Sequence, residues 1–361
     1  MADLMEYKCP NCGGPLKFDA DAQEMKCPYC GSKINVQALA AMDNELGVKS
    51  DSFEWRKVAD KQWDDGETAG MKVYICNSCG GEIVCDESTA ASKCPYCDSP
   101  VVMKGNFEGD LKPDIVIPFK ITKKEAKERY YKHLEGKEFL PKVFKDENHI
   151  DEMKALYVPF WMFDCDAEAS ATYDATRTRV WADKKNDYVK TDHYKIVREG
   201  SLCFENVPVD GSLAMPDDLM QSIEPFRMEE AVDFQTAYLS GYLADKYTVS
   251  VHDSIGAANE RVRNSAIDEL RNTVQGYETV RNTGVNVAID NGSCRYAMLP
   301  VWIMNTTYDG KNYIFAINGQ TGKTVGNLPL DKGAARKYMF TRTAIAAAIV
   351  AAAEYLMLFS M

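Results

Sequence analysis

At 361 residues the chain is long for one compact core, and two or three units are the expectation. Its 45% hydrophobic and 27% charged residues describe a folded protein and exclude wholesale disorder. A formal charge of −12 argues against a generic, charge-driven grip on DNA or RNA, which needs clustered lysine and arginine.

The opening stretch MADLMEYKCPNC reaches cysteines at once, without the charged and apolar run of a secretory leader, and points to the cytosol. Eight of the twelve cysteines stand in C-x-x-C pairs, which in a reducing compartment read as metal ligands rather than as a disulfide scaffold. Cys9 and Cys12 are followed, after 14 residues, by Cys27 and Cys30, and Cys76, Cys79, Cys94 and Cys97 repeat that spacing. A shift of 67 positions aligns YKCPNCGGPLKFDADAQEMKCPYC with YICNSCGGEIVCDESTAASKCPYC and brings Gly13 and Gly14 onto Gly80 and Gly81. The module is duplicated.

Zn²⁺ accepts four thiolates tetrahedrally, and C-x-x-C followed by glycine makes a tight turn that aims two sulfurs at one point. Four protein ligands leave no position for water or substrate, so each site is expected to be structural. A module of about 30 residues cannot build its own core, and zinc ligation can contribute roughly 10–16 kcal/mol to its folding. Two structural Zn²⁺ in ribbons at 1–36 and 73–105 are therefore expected, ligated by the eight cysteines above. Redox-active cysteine pairs, which lack a βαβ setting here, and rubredoxin-like iron are the alternatives. Cys85 aligns with Phe18 and reads as a core side chain, while Cys165, Cys203 and Cys294 are isolated and read as buried apolar residues.

Lys8, Lys17, Lys26, Lys33 and Tyr29 make a thin case for nucleic-acid binding by the first ribbon. In the second, Lys93 is outnumbered by Glu82, Asp86, Glu87 and Asp98. Eight thiolates around two Zn²⁺ would add a further net charge of −4, so phosphate contacts would be few. Residues 37–72, with Phe53, Trp55 and Trp63, read as a surface linker holding a short helix or strand.

From Lys112 onward, helical and strand-like stretches alternate. ITKKEAKERYYKHLEG carries a capping box in Thr122 and Glu125, an apolar stripe of Ala126, Tyr130 and Leu134, and Gly136 as a stop. SIGAANERVRNSAIDELRNTVQG has its stripe in Ala258, Val262, Ala266, Leu270 and Val274 and stops at Gly276. Each helix precedes the same aromatic signature: YVPFWMFD lies 23 positions from Gly136 to Pro159, and MLPVWIMN lies 24 from Gly276 to Pro300. The fold class expected is α+β and multidomain, with the two tandem four-cysteine zinc ribbons followed by two related antiparallel-sheet-plus-helix units at 106–212 and 213–340. Trp161 and Trp302 read as their core anchors.

NGQTGKT, from Asn318 to Thr324, ends like a phosphate-binding loop, but Ile317 stands where that loop needs its first glycine. It reads as a hairpin turn. His133, His149, His193 and His252 lack metal-motif spacing, and Asp217 and Asp218 read as solvated or helix-capping charges. No catalytic set is legible, and a non-enzymatic protein is expected.

From Ala344 the chain runs apolar with one charge, Glu354, behind a basic approach of Lys332, Arg336, Lys337 and Arg342. Residues 341–361 read as a hydrophobic C-terminal helix serving as a membrane anchor with the body in the cytosol; a helix docked on protein is the alternative.

Taken together, both knuckle pairs, YVPFWMFD, YLSGYLADKYTVS and MLPVWIMNTTYDGKNYIFAINGQTGKTVGNLP resemble a bacterial family labelled transcription-factor-IIB-type zinc-ribbon proteins. Some of its members carry a primosomal, replication-restart helicase label. That resemblance implies a membrane-attached adaptor whose partners are flotillin-like or phage-shock-type proteins. No phosphate-binding loop or paired motor domains support the helicase label. The function expected is thus a zinc-binding adaptor or scaffold at the cytoplasmic face of the membrane. The alternative is a nucleic-acid-associated ribbon protein of replication or transcription.

Overall fold

Two strands of unusual length, Lys154–Ala182 and Thr279–Tyr308, organise the computed structural model, which describes residues 7–9, 11–37, 39, 51–86, 89–107, 111–137 and 139–359. In chain order the strands are β1 (Lys17–Asp19), β2 (Glu24–Lys26), β3 (Lys33–Asn35), β4 (Ser52–Lys57), β5 (Lys72–Cys76), β6 (Glu82–Cys85), β7 (Val101–Asn106) and β8 (Ile115–Val116). They continue with β9 (Lys154–Ala182), β10 (Asp187–Asp210), β11 (Val232–Asp233), β12 (Leu243–Asp245), β13 (Thr279–Tyr308), β14 (Lys311–Asn318) and β15 (Thr324–Gly326). The helices longer than one turn are α1 (Lys123–Leu134), α2 (Asp217–Ile223), α3 (Val251–Asn272) and α4 (Lys332–Phe359). The mixed α+β class is as expected.

The chain divides into two compact units, each assembled from separated segments. The first holds Met1–Val58, Phe163–Pro208 and Ile255–Cys294; the second holds Ala59–Met162, Val209–Ser254 and Arg295–Met361. This is not the serial division at 106–212 and 213–340 read from the sequence. The reason lies in β9 and β13, of 29 and 30 residues against the usual ~5–6, each of which contributes to both units.

In the first unit, β1, β2 and β3 form a separate antiparallel sheet. β4 pairs in parallel with β13, Ser52 facing Ala288 and Phe53 facing Ile289, so the expected surface linker contributes a strand to the body. Trp55 meets Phe163 edge-on at 4.9 Å and donates its indole N–H to Asn259 Oδ1 at 2.9 Å. Helix α3 lays Val262, Ala266 and Leu270 against Ala167, Ala169 and Ala171 of β9 and Ile196 of β10. The small alanines let the helix approach the strand closely. Among the three isolated cysteines, Cys165 and Cys294 are buried, but Cys203 is exposed, because it takes an outward position in the alternation of β10.

In the second unit the sheet runs β11–β8–β13–β9–β12–β6–β5–β7, with β14 and β15 continuing from β13. Helix α1 starts at the expected capping box: Glu125 N donates to Thr122 Oγ1 at 3.3 Å and Thr122 N to Glu125 Oε2 at 2.8 Å. Its stripe of Ala126, Tyr130 and Leu134 is buried on Trp302, Met304, Phe315 and Ile317 of β13 and β14. At roughly 1.5–3 kcal/mol per large apolar side chain, this burial far exceeds the helix's own propensity as a source of order.

The two segments that share the aromatic signature, 106–212 as first copy and 213–340 as second, make corresponding contacts, and these are reciprocal. Helix α1, in the first copy, packs on the β13–β14 hairpin of the second, and α3, in the second copy, packs on the β9–β10 hairpin of the first. The tryptophans tie the exchange: Trp161 Nε1 donates to Val249 O at 3.0 Å, just before α3, and Trp302 Nε1 donates to Ile121 O at 2.8 Å, just before α1. The backbone repeats the pattern, with Gly211 N donating to Pro159 O at 2.9 Å and Gly319 N to Pro300 O at 2.8 Å. Thr248 and Val249 donate to Gly211 O as Lys120 and Ile121 donate to Gly319 O. A Cβ would sit 3.2 Å from Pro159 O at Gly211 and 2.8 Å from Pro300 Cβ at Gly319, which is why both crossings are glycine. NGQTGKT forms the turn between β14 and β15, as expected, with Gly322 at φ +76°.

The tail is helical over Lys332–Phe359, as α4. The membrane span expected of it is not found: among the described residues, no helix is long and apolar enough to cross a membrane. Alanine supplies much of this run and contributes little hydropathy, and Lys332, Arg336, Lys337 and Arg342 fill the helix's first turns with charge.

Candidate metal centres

Four tight turns build two cysteine clusters. In each turn the first cysteine's N–H donates forward to the carbonyl five residues on: Cys9 to Gly14 (2.7 Å), Cys27 to Ser32 (2.8 Å), Cys76 to Gly81 (3.0 Å) and Cys94 to Ser99 (2.8 Å). Its carbonyl accepts from the residue four positions on, at Gly13, Gly31, Gly80 and Asp98. That residue is left-handed in every case, at φ +72°, +73°, +77° and +58°. Glycine takes the conformation freely, whereas Asp98 is held in it by ion pairs with Lys93 (3.1 Å) and Lys154 (3.3 Å).

The turns converge the sulfurs. Cys9 and Cys30 stand 3.6 Å apart and Cys12 and Cys27 3.5 Å; Cys76 and Cys97, and Cys79 and Cys94, are each 3.5 Å apart. Within each set all four sulfurs lie within 4.8 Å of one another, and none is in a disulfide. A tetrahedron with arms of about 2.3 Å has edges of about 3.8 Å, so a thiolate-binding metal fits both sites with little movement. All eight expected ligands are thus brought together, and Cys85, buried in the core, belongs to neither set.

Four thiols so close cannot ionise independently. The Ser32 hydroxyl, 3.0 Å away, lowers Cys30 to about 6. Cys12, despite the Gly14 N–H that favours its thiolate, is raised to about 12 by the neighbouring Cys30 and Cys27 thiols. In the second set Ser99 plays the part of Ser32: against the penalty of burial, its hydroxyl and N–H bring Cys97 to about 7. A cation would remove the conflict by stabilising all four thiolates together.

The two ribbons differ in their surroundings. Tyr29 and Tyr96, from the repeated KCPYC, lie over Gly14 and Gly81, where a Cβ would come within 2.8 Å and 3.1 Å of the ring. Tyr29 is 74% exposed, whereas Tyr96 is 2% exposed. The second ribbon is built into the sheet, with Ile83 and Val84 of β6 facing Asp245 and Ala244 of β12. Cys76, Ile83, Cys85, Cys94 and Tyr96 are all in the core cluster around Phe160 and Leu299. Lys154 Nζ fastens it further, donating to Lys93 O at 3.3 Å and Cys94 O at 3.1 Å. In the first ribbon the register aligns Lys17, Lys26 and Lys33 across the three strands, with Phe18, Met25 and Ile34 in the next row.

Beside Tyr96 the second unit buries two carboxylates that sequence reasoning passed over. Asp245 is pushed up to about 7 by burial, against the Ser212 and Tyr96 hydroxyls that favour its ionised form. Asp210 is pushed up to about 8 by burial, with Asp245 adding repulsion against the help of the Ser212 N–H. Asp210 Oδ2, by contrast, is buried without a hydrogen-bond partner among the described residues. One signal could have marked Asp210: VDGS at 209–212 is the counterpart of INGQ at 317–320, so it occupies the place of the buried Asn318. The expected solvated acids behave as read, since Asp217 and Asp218 open helix α2 from exposed positions. Among the described residues no histidine joins a potential metal cluster; His149 Nε2 pairs with Thr306 Oγ1 at 2.7 Å.

The chain is similar to the uncharacterized protein YdjG of Bacillus subtilis strain 168, with 32% identity over 333 residues that cover 91% of this chain and 92% of the relative. No protein-family model matches it, and no solved structure does.

Proposed function

We propose, for a chain that belongs to the family of Bacillus subtilis YdjG, a non-enzymatic adaptor braced by two structural Zn²⁺ and working at the cytoplasmic face of the membrane. Zinc is favoured because four converging thiolates in a chain with no disulfide satisfy its tetrahedral preference and leave no position for chemistry. The observation that carries the adaptor reading is the contrast between the ribbons. One of two modules with the same cysteine spacing is buried in the sheet, and the other presents its Tyr29 and Phe18 to solvent. A brace has no need of the second arrangement, whereas a contact module does. The partners implied by the resemblance are flotillin-like or phage-shock-type proteins.

A second reading, nucleic-acid association, draws on the row of Lys17, Lys26 and Lys33, three like charges placed directly across neighbouring strands. The acidic chain around them weighs against it, with its net charge of −12. Salt-titrated binding to single- and double-stranded DNA and RNA decides between the two. The adaptor reading expects weak binding indifferent to Lys26→Glu; tight binding with a steep salt slope, lost in Lys26→Glu, would overturn it. Elemental analysis of protein purified without chelator is expected to give two zinc equivalents per chain, and iron in their place would end the zinc assignment.

A further inference from the structure

The two cysteine sets match in spacing but not in access. Each forms two close sulfur pairs at 3.5 or 3.6 Å: Cys9 with Cys30 and Cys12 with Cys27 in the first, Cys76 with Cys97 and Cys79 with Cys94 in the second. In the first set both pairs join an exposed residue to a buried one, since Cys12 and Cys30 are exposed and Cys9 and Cys27 are buried. In the second only Cys79 is exposed, and Cys97 is half-buried.

Their surroundings differ in the same direction. Lys26 and Lys33 face each other across the neck of the turn that carries Cys27 and Cys30, and among the described residues neither is in an ion pair. At the corresponding neck of the second ribbon Lys93 faces Pro100, and its charge is taken up by Asp98 at 3.1 Å and Glu152 at 3.3 Å. Asn11 Nδ2 donates to Ser32 Oγ at 2.9 Å, which leaves the hydroxyl proton for Cys30 Sγ at 3.0 Å. An exposed sulfur among cations, favoured as thiolate and with a second sulfur beside it, is the setting in which oxidants act on cysteine.

We propose that the first set is a site of oxidation by hydroperoxides, which closes it as two disulfides, Cys9 to Cys30 and Cys12 to Cys27, and releases its metal. The Cys30 thiolate attacks one peroxide oxygen, the O–O bond breaks and hydroxide leaves; Cys9 then attacks the Cys30 sulfenic acid, forming the S–S bond and expelling a second hydroxide. Cys12 and Cys27 repeat the sequence with a second peroxide. Four thiolates give up four electrons, two peroxides take them, and the metal is left without ligands. Each pair has about 1.5 Å to close before it reaches bonding distance. In the second set the same movement would draw Cys76 and Cys94 out of the core cluster and against the Lys154 contacts to Cys94 O and Asp98. Only the identity of the released metal rests on the zinc reading; the disulfides do not.

The test is exposure of the metal-loaded full chain to hydrogen peroxide, followed over time by alkylation, peptide mass mapping without reductant and elemental analysis of the released metal. The two disulfides of the first set are expected to form at least tenfold faster than any in the second. One metal equivalent should leave with them, the main unfolding transition should stay in place, and dithiothreitol with added zinc should reverse both changes. Equal rates in the two sets, a bond between Cys9 and Cys12 within one turn, sulfinic acid in place of disulfide, or oxidation no faster than at exposed Cys203 would each overturn the proposal. Release of iron together with the two disulfides would support it and end the zinc assignment alone.

Discussion

Asp210 shows how a single buried group sets a property of the whole chain. Its folded value, about 8, stands well above the ~4 of an unfolded aspartate, so between those values the native state holds a proton that the unfolded state has released. The sign follows directly: stability is fullest on the acid side of this window and falls as pH rises through about 8. From pH 6 to 8.5 Asp210 is expected to account for a loss of about 2 kcal/mol in denaturant unfolding, with Asp245, pushed up to about 7, adding a smaller part. Asp210→Asn should remove most of that slope and be tolerated, because Asn318 already fills the equivalent place. There its Oδ1 accepts from Gln320 N and Thr321 N at 2.9 Å, and its amide donates to Ile223 O at 3.1 Å. A flat profile in the parent chain, or an unchanged slope in the variant, would count against this account. At this scale the eight clustered cysteines were legible because C-x-x-C spacing is a local pattern. Asp210 and Asp245 were not, because their environment is assembled from distant segments, and a burial-driven shift leaves no trace in local sequence.

Among elements, the reciprocal exchange makes each helix depend on a tryptophan from the other copy. Trp161→Phe leaves Val249 O without its donor, and Trp302→Phe does the same to Ile121 O, at about 1 kcal/mol each. Hydrogen exchange separates the two effects. In Trp161→Phe the first turn of α3, read at the Ser254 amide that bonds Ser250 O, is expected to lose protection, while the Ala126 amide of α1 keeps it. Trp302→Phe should do the reverse. Loss of protection within the same copy as the substitution would instead mean that each helix packs on its own hairpin. Helices α1 and α3, their stripes and the capping box were legible, since 3.6-residue periodicity and caps are local signals. The exchange was not, because the same apolar stripe serves a hairpin from either copy, and only the matched Pro-x-Trp signatures hinted that the partners correspond.

For the whole molecule, the two metal centres should differ in consequence although their ligands match. The second set belongs to the core cluster, and β6 of its ribbon is hydrogen-bonded to β12, so the second unit cannot keep its sheet while that ribbon unfolds. The first set is carried by β1, β2 and β3, which form a sheet of their own. Cys94→Ser, at a ligand of the second set that is fully buried, is therefore expected to lower global stability by several kcal/mol, out of the roughly 10–16 kcal/mol that such a metal can contribute. Cys27→Ser, also fully buried but in the first set, should leave the main unfolding transition within about 1 kcal/mol of the parent while its own ribbon loses its metal. A chelator titration should show the same order, with the exposed first ribbon giving up its metal before the main transition moves. Equal effects of the two substitutions would mean that the first ribbon is as much a part of the core as the second, and would remove the contrast on which its role as a contact module rests.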